Sequence, residues 1–271
     1  MGNVNIALAQ LVCKDGQVDK NLQVMDSVIK KYGASHDIIV FPETFTIGFP
    51  SRDIARKLAE PLNGPIIKHI ERQAREANTS IVAGLYERDE DSVYNTTVLV
   101  SPEGLQLSYR KTHLFMEEAE KVETGNYFRT CNWHDTRVGL LICYDCEFPE
   151  TARAVAGLGA ELILLTNGNM APYGPVHRIA IQARAQENQI FVAMANRVGV
   201  GGKYNFVGES IIVNPYGEIV VAAGSDEEVI SSTIDTSMVE KSRRDYHYLN
   251  ERRLFKVESR EISPGVIETK F

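Results

Sequence analysis

Three side chains of different chemistry, a carboxylate, an ammonium group and a thiol, each follow a short apolar run in this sequence. Glu43, Lys111 and Cys143 stand where runs rich in branched and aromatic residues end. Such runs, bounded by turn residues, are typical of strands. Ligands bind at the carboxyl ends of strands in α/β sheets, so we expect the three side chains to converge at one rim.

This combination of side chains can attack a carbonyl carbon. A thiolate is a strong nucleophile, but a free cysteine with a pKa near ~8.5 is mostly protonated at neutral pH. Proton transfer from an unperturbed cysteine to an unperturbed glutamate is uphill by about 6 kcal/mol. Lys111 beside the sulfur would lower the thiol pKa, burial would raise the pKa of Glu43, and both changes narrow this gap. Lys111 and a backbone N–H just after Cys143 can also stabilise an oxyanion.

The segment Cys143-Tyr144-Asp145-Cys146 also forms a C-x-x-C pattern, which has two other interpretations. The pattern occurs in disulfide-exchange proteins and in zinc sites. A zinc site needs four ligands, and the sequence holds no second C-x-x-C and no suitably spaced histidine pair. No small thioredoxin-like βαβ unit begins near the pattern. We therefore favour a nucleophilic Cys143 and predict a mechanism with no metal and no cofactor.

Three segments resemble, in the right order, the signatures of the nitrilase superfamily, also called the carbon–nitrogen hydrolases. They are Phe41-Pro42-Glu43, the segment 109–115 around Lys111 and the segment 139–150 around Cys143. The match covers nearly the whole chain and is specific as an ordered set. The resemblance implies that Glu43 is the general base, Lys111 the oxyanion stabiliser and Cys143 the nucleophile. It also implies an α/β fold in the form of a four-layer α-β-β-α sandwich.

Members of this superfamily often use a second glutamate after the lysine, which orients the lysine and the substrate. The glutamates available here are Glu117, Glu118, Glu120 and Glu123. The family spacing, seven residues after the lysine and seven before Gly125, selects Glu118. Glu120 is the alternative, because the segment is rich in glutamate.

The segments 167–174 and 184–188 are similar to the aliphatic-amidase branch of the superfamily. We predict that Tyr144, Asn169 and Tyr173 line the substrate pocket; a role as turn caps is the alternative for Asn169 and Tyr173. Glu147 replaces the arginine that is usual at its position, which changes the charge near the nucleophile. Cys-Tyr-Asp at the nucleophile favours amides, since nitrile-hydrolysing members usually have Cys-Trp-Glu. The predicted function is hydrolysis of a small aliphatic carboxamide, with N-carbamoyl compounds or nitriles as alternative substrates.

The elements that must position these residues repeat along the chain. The predicted strands are 4–12, 37–41, 80–86, 94–100, 105–110, 137–143, 162–166, 190–196, 209–213, 218–223 and 229–234, and the predicted helices are 22–32, 65–77, 149–158 and 177–188. Each half also has a turn with proline second and glycine fourth, at 101–104 and at 214–217, which predicts a hairpin. Two similar sheets, each covered by helices on one face, can pack their other faces together. This arrangement is also the α-β-β-α sandwich, and we predict one domain over 1–271 with an arm at 238–271.

Composition restricts the partners of the chain. With 271 residues, 44% of them hydrophobic, and a formal net charge of -7, it has an ordinary globular composition and no basic block that would attract nucleic acid. No apolar run approaches the ~20 residues that span a bilayer, and no signal segment precedes the first strand, so we expect a cytoplasmic protein. Scattered apolar residues in the arm, such as Tyr246, Tyr248, Leu249, Leu254 and Phe255, predict a homodimer or a larger even assembly. The helices after Glu150 and His177 are the other predicted contacts.

Overall fold

Two six-stranded sheets and their covering helices form the body of the structure. The computed structural model describes residues 2–253 together with the backbone of Ser259–Ser263 and Val266–Thr269. The strands are β1 (Asn3–Gln10), β2 (Ile38–Val40), β3 (Ser80–Asp89), β4 (Ser92–Ser101), β5 (Gly104–Arg110), β6 (Thr130–Trp133), β7 (Thr136–Ile142), β8 (Leu162–Asn167), β9 (Phe191–Asn196), β10 (Val198–Gly201), β11 (Tyr204–Val207), β12 (Ile211–Val213), β13 (Ile219–Ala222), β14 (Glu228–Asp235), β15 (Ser259–Ser263) and β16 (Val266–Thr269). The helices are α1 (Val18–Tyr32), α2 (Arg52–Leu58), α3 (Pro65–Ala77), α4 (Pro149–Gly157), α5 (Gly174–Asn188), α6 (Ser237–Asp245) and α7 (Tyr248–Glu251).

The two sheets follow the same plan. Their strand orders are β14-β1-β2-β3-β4-β5 and β13-β12-β9-β8-β7-β6. Three parallel neighbours form the centre of each sheet, β1 to β3 in the first and β7 to β9 in the second, and antiparallel strands extend both edges. The repeat predicted from the sequence is therefore present. Since β14 comes late in the chain but pairs with β1, the two halves of the sequence are interlocked.

The alternation of side chains along β1 shows how one sheet is covered on both faces. Ile6 and Leu8 belong to the apolar core shared by the two sheets, whereas Ala7 and Ala9 pack in the core with α1 and α3. Helices α4 and α5 contribute buried side chains against the second sheet. The predicted four-layer α-β-β-α sandwich is confirmed. Both sheets contribute to one apolar core, and the single domain over 1–271 stays a prediction.

Local signals set the ends of the main helices. Pro65 opens α3 at its first position, where proline's missing N–H costs no hydrogen bond. Asn78 ends α3 in the left-handed conformation, with φ 50°. Helix α1 ends at Tyr32 as predicted, but Gly33 stays right-handed, with φ -56°, and begins a short 3₁₀ turn. Glycine is needed there because a Cβ would lie 2.8 Å from the Ala77 Cβ.

The remaining differences from the sequence prediction are short elements. The prediction missed α2, α6, α7, the edge strand β6, the hairpin formed by β10 and β11, and the pair β15 and β16. Helix α5 also begins at Gly174, earlier than predicted, with Pro175 in its first turn. Both predicted Pro/Gly turns connect antiparallel strands; in the second, Gly217 N–H donates to Asn214 O at 2.9 Å.

Part of the predicted arm lies against its own subunit. In α6, Val239 is buried in the shared core, and Gln189 Nε2 donates to the carbonyl oxygens of Ser242 and Tyr246. Tyr246 and Tyr248 stack on each other and are exposed. Leu254 and Phe255 lie outside the described residues. No helix in the described part of the chain is long and apolar enough to cross a membrane.

Candidate active site

Glu43 enters the site through a tight turn at the carboxyl end of β2. The turn places Thr44 at φ 46°, a left-handed conformation that is uncommon for a non-glycine residue. It also brings the Glu43–Thr44 backbone against β3 at Gly84, where a Cβ would lie 2.2 Å from Thr44 N. Glu43 is almost completely buried, at 1% exposure. A glycine at position 84 and a strained turn at Thr44 are therefore needed to bury the Glu43 carboxylate inside the protein.

Cys143 occupies an equally constrained turn after β7. Its φ is 43°, and it begins the 3₁₀ segment Cys143–Glu147. Strain of this kind costs of order 1–3 kcal/mol and persists only where surrounding contacts enforce it. The buried carboxylate of Asp145 provides such contacts, because Oδ2 accepts from Ile142 N–H at 3.2 Å and from the Tyr109 hydroxyl at 2.9 Å. Asp145 thus connects the cysteine turn to β5, the strand that leads to Lys111.

Lys111 lies between two carboxylates. Its Nζ donates to Glu43 Oε1 and to Glu118 Oε2, both at 2.7 Å, and the lysine is 2% exposed. Asn95 on β4 bridges the same pair, with Nδ2 donating to Glu43 Oε1 at 2.7 Å and to Glu118 Oε1 at 2.6 Å. An ammonium group has three donors, so one N–H of Lys111 remains for another acceptor.

The geometry distinguishes Glu118 from its neighbours. Glu118 is the glutamate that contacts Lys111, and its Oε2 also accepts from Phe115 N–H at 3.1 Å. Glu120 is exposed on the same 3₁₀ segment. Glu117 instead pairs with Lys203 and with the Tyr204 hydroxyl. The structure thus places beside Lys111 the glutamate that the family spacing selects.

Burial controls the protonation of the trio. Burial raises the pKa of the Cys143 thiol, and the nearby charge of Glu43 raises it further, against a smaller opposing effect of Lys111. Burial likewise raises the pKa of Glu43, although Lys111 opposes this. For Lys111, burial alone would lower the pKa, but the charges of Glu118 and Glu43 more than offset it and raise the pKa well above its ordinary value. Lys111 therefore stays charged, and the sulfur is a neutral thiol at rest.

Two cavities meet at Cys143. The larger is lined by residues that include Glu43, Lys111 and Glu118, and we call it the Glu43 lobe. The smaller is lined by residues that include Tyr144, Glu147, Asn169, Tyr173 and His177, and we call it the Glu147 lobe. Phe115, Cys143 and Met170 line both. The sulfur therefore stands between two spaces that a small substrate can occupy together.

The three predicted pocket residues all border the Glu147 lobe. Asn169 is also a turn cap, because its Nδ2 donates to Tyr173 O at 3.0 Å and its Oδ1 accepts from Met170 N–H at 2.9 Å. Tyr144 and Tyr173 each make an edge contact with Phe115. The two interpretations of Asn169, pocket residue and turn cap, thus hold together.

Sequence reasoning missed two residues of the site, Asn95 and Gly168. Asn95 lies in the run Tyr94-Asn95-Thr96-Thr97, which is polar although β4 is buried, and that mismatch was a usable signal. Gly168 follows β8, where a Cβ would lie 2.7 Å from Glu43 Oε2 and 2.8 Å from the Phe49 ring. Its backbone N–H is also within hydrogen-bonding reach of the Cys143 sulfur. Only glycine leaves this space open beside Glu43 and Cys143.

The other interpretations of the C-x-x-C pattern gain no support from the geometry. Cys143 and Cys146 are free thiols, and Cys146 is fully buried outside both lobes. Among the described residues, no group of three or more His, Cys, Asp or Glu side chains is arranged to hold a metal ion. His113 contacts Asp145 and stacks on Phe148, so it supports the cysteine turn. The prediction of a metal-free mechanism stays a prediction.

Comparisons with known proteins identify the class. Residues 5–244 match the family model described as carbon-nitrogen hydrolase. An (R)-stereoselective amidase of a Pseudomonas species is 45% identical over 93% of this chain and 92% of its own length. A nitrilase of Pyrococcus abyssi is 35% identical over 89% of this chain and 93% of its own. The crystal structure of a CN-hydrolase superfamily protein from Xanthomonas campestris has a TM-score of 0.88 and 26% identity, covering 95% of this chain and 100% of that one.

The chain belongs to the carbon–nitrogen hydrolase family. It is a hydrolase that acts on carbon–nitrogen bonds other than peptide bonds. The resemblance first read from three short segments thus extends over nearly the whole chain.

Proposed function

We propose that the protein hydrolyses a small aliphatic carboxamide to a carboxylic acid and ammonia through a thioester on Cys143. One observation carries the proposal: Lys111 donates to Glu43 and Glu118 at 2.7 Å each, on the wall of a cavity that also contains Cys143. This arrangement supports a mechanism in which a base, a cation and a nucleophile act on one reacting carbon. The similarity to an amidase over nearly the whole chain supports the choice of an amide.

The first step is attack by the Cys143 sulfur on the amide carbon. The thiol is protonated at rest because burial and the Glu43 charge raise its pKa. Glu43 therefore takes the proton as the S–C bond forms. Its Oε2 is buried and accepts no hydrogen bond within the described residues, which leaves it available as the acceptor. The electron pair of the carbonyl bond moves onto oxygen, and the products of the step are an oxyanion and a neutral Glu43.

The oxyanion needs donors that are already in place. The third N–H of Lys111 is one, and the backbone N–H of Tyr144 is a second candidate, because the first N–H groups of a 3₁₀ segment have no acceptor within it. Donors of this kind contribute about 3–4 kcal/mol each to transition-state stabilisation. Glu118 and Asn95 contact no reacting atom in this scheme; they hold Lys111 and Glu43 in position.

Collapse of the oxyanion breaks the C–N bond. Glu43 returns its proton to the leaving nitrogen, ammonia departs and the acyl group remains on sulfur. Water then attacks the thioester carbon, Glu43 accepts the water proton, and the sulfur leaves and is reprotonated. The cycle consumes one water and restores the enzyme. We also propose a cytoplasmic location, since a reducing compartment keeps four free cysteines reduced.

Nitriles are the second candidate substrates, because a nitrilase is among the similar proteins. N-carbamoyl compounds are the third, since the same three groups can act on them. Nitrile attack yields a thioimidate whose nitrogen needs protons at once, whereas amide attack yields the oxyanion that Lys111 can meet directly. We therefore expect short aliphatic amides to be hydrolysed at least about tenfold faster than matching nitriles, a difference of only about 1.4 kcal/mol.

The test is a measurement of ammonia release from butanamide, butanenitrile and an N-carbamoyl amino acid, with kcat/KM determined for each. Cys143→Ala is the control for contaminating activity. Intact-protein mass spectrometry of the enzyme mixed with butanamide should show the added acyl group, and Cys143→Ala should not acquire it. A higher kcat/KM for the nitrile or for the N-carbamoyl amino acid would refute the amide assignment.

A further inference from the structure

The Glu147 lobe lies where the acyl part of a bound amide would extend. It shares Cys143 with the Glu43 lobe, and Lys111 lines only the Glu43 lobe. A substrate with its carboxamide among Glu43, Lys111 and Glu118 has one other substituent on the carbonyl carbon. That substituent reaches the Glu147 lobe, so the polarity of this lobe determines which amides fit.

Glu147 and His177 offer hydrogen-bond acceptors to such a substituent. His177 Nε2 lies 3.1 Å from Glu147 Oε1, so in the neutral ring the proton is on Nε2 and Nδ1 is an acceptor. The His177 side chain is only 4% exposed, and its Nδ1 is buried with no partner among the described residues. The Glu147 side chain lines the same lobe and is 27% exposed. A buried acceptor without a donor is costly, so a ligand that donates a hydrogen bond to His177 Nδ1 would satisfy it.

The charges around the lobe favour a cation. Glu147 is the carboxylate on its wall, and the described lining includes no lysine or arginine. Arg184 on α5 is close to Glu147, but its Nη1 pairs with Glu187 at 2.8 Å and its Nη2 donates to the backbone oxygen of Glu147. The Glu147 carboxylate is therefore not neutralised by an arginine. An anionic substituent would meet this carboxylate and be repelled.

Aromatic side chains complete the lobe in a way that suits the same ligand. Phe115, Tyr144 and Tyr173 pack edge to face around it, at ring separations of 5.2 and 5.7 Å. Aromatic faces hold methylene groups and also attract ammonium groups. Glu147 is four residues after Cys143 on the same 3₁₀ segment, and both residues line the lobe. This short separation along the chain suits a substrate with a few carbons between its carboxamide and its amino group.

We propose that the Glu147 lobe binds a protonated amino group on the acyl part of the substrate, so that the enzyme prefers short amino-carboxamides. Glu147 and His177 are then specificity-determining residues that contact the substrate. The inference rests on the proposed amidase function. It goes beyond that function by assigning a charge to the substrate.

The test compares amides of equal size and different charge. The probes are 3-aminopropanamide, butanamide and succinamate, which end in an ammonium group, a methyl group and a carboxylate. We expect kcat/KM for 3-aminopropanamide to exceed that for butanamide by about tenfold or more, and succinamate to be the poorest substrate. The difference should lie mainly in KM, because the ammonium contact is the same before and during the reaction.

Glu147→Gln removes the charge but keeps an oxygen that can accept from His177. We expect it to reduce the preference for 3-aminopropanamide over butanamide at least about fivefold. Glu147→Asp should retain most of the preference. Glu150→Gln is the matched control, since Glu150 is exposed in the first turn of α4, and it should keep the wild-type ratio. An unchanged ratio in Glu147→Gln, or a wild-type enzyme that prefers butanamide or succinamate, would overturn the proposal.

Calorimetry separates this proposal from the proposed function. Cys143→Ala should bind 3-aminopropanamide more tightly than butanamide, and adding Glu147→Gln should remove the difference. If no amide is hydrolysed but this pattern of binding is found, the amidase assignment fails and the ammonium subsite stands. If butanamide is hydrolysed but the two amides bind and react alike, the subsite fails and the amidase assignment stands.

Discussion

Replacement of Glu118 by glutamine tests whether the second carboxylate is needed to hold Lys111. In the protein, Glu118 accepts hydrogen bonds from Lys111 Nζ at 2.7 Å, Asn95 Nδ2 at 2.6 Å and Phe115 N–H at 3.1 Å. A glutamine has one acceptor oxygen and one NH₂ group. Whichever way its amide is turned, the NH₂ group faces a donor, either on Lys111 or on Asn95.

The expected loss follows from these contacts. A buried donor left unmatched costs about 1–3 kcal/mol, and a hydrogen bond to a charged group contributes about 1.5–3 kcal/mol. Glu118 is 10% exposed, so little of this is screened by solvent. Without Glu118, Lys111 is pulled toward Glu43 alone and away from the oxyanion. We expect the variant to lose about 2–4 kcal/mol of transition-state stabilisation, so that kcat/KM on butanamide falls roughly 30- to 1,000-fold.

The matched control is Glu120→Gln, two residues further on the same 3₁₀ segment and exposed. It should hydrolyse butanamide at the wild-type rate. Ammonia release gives kcat and KM, and circular dichroism with thermal melting checks that both variants fold. If Glu118→Gln stays within about threefold of wild type, or if Glu120→Gln is equally impaired, the positioning role assigned to Glu118 is wrong.

Three further predictions follow from the geometry of the site. Cys143→Ala should abolish turnover, whereas Cys146→Ala should keep most of it, because Cys146 is buried outside both lobes. EDTA should not inhibit the enzyme. Equal inactivation of the two variants would restore the C-x-x-C interpretation. Glu43 must be unprotonated to act as a base, and burial raises its pKa above the ordinary 4.5. We therefore expect kcat/KM to fall as the pH is lowered, with a midpoint above pH 4.5. A midpoint at or below pH 4.5 would contradict this prediction. We expect a homodimer or larger even assembly joined partly through α4 and α5, where Val176 and Ile179 are exposed, and a monomer mass by light scattering at micromolar concentration would contradict it.

Sequence periodicity predicted the elements that are long or buried. The central strands are apolar because both of their faces are covered, and α3 shows a clear buried stripe at Ile66, Ile67, Ile70 and Ala74. Apart from α6, the missed elements span at most seven residues, too few to show a clear period. In β10, Val200 is exposed and two of the four residues are glycine, so its pairing with β11 is set by neighbouring structure. The place of β14 beside β1 is likewise a long-range pairing that no local pattern encodes.

The trio of the site was predictable because each member follows a strand of recognisable composition. Glu43 and Lys111 are 68 residues apart in the sequence, and the order of the strands in the sheet, not a local signal, brings them into contact. Asn95 was missed because a polar residue inside a strand is usually assigned to the solvent face. Gly168 was missed because its function is to lack a side chain. The Glu147 lobe was predicted only as three candidate lining residues, since its shape depends on how two loops and α5 pack.

The charges of the site explain how the Cys143 thiol is kept protonated, and therefore unreactive, while no substrate is bound. Two carboxylates and one ammonium group are buried together, which leaves an excess negative charge beside the sulfur. A thiolate would add a second negative charge, and together with burial this raises the Cys143 pKa. Oxidation and alkylation act on the thiolate, so the neutral thiol is protected while the site is empty. In the proposed mechanism a bound amide changes this balance, because the charge that leaves the thiol passes to the carbonyl oxygen, where Lys111 can stabilise it. We therefore expect activation of the Cys143 thiol to depend on the presence of the carbonyl group.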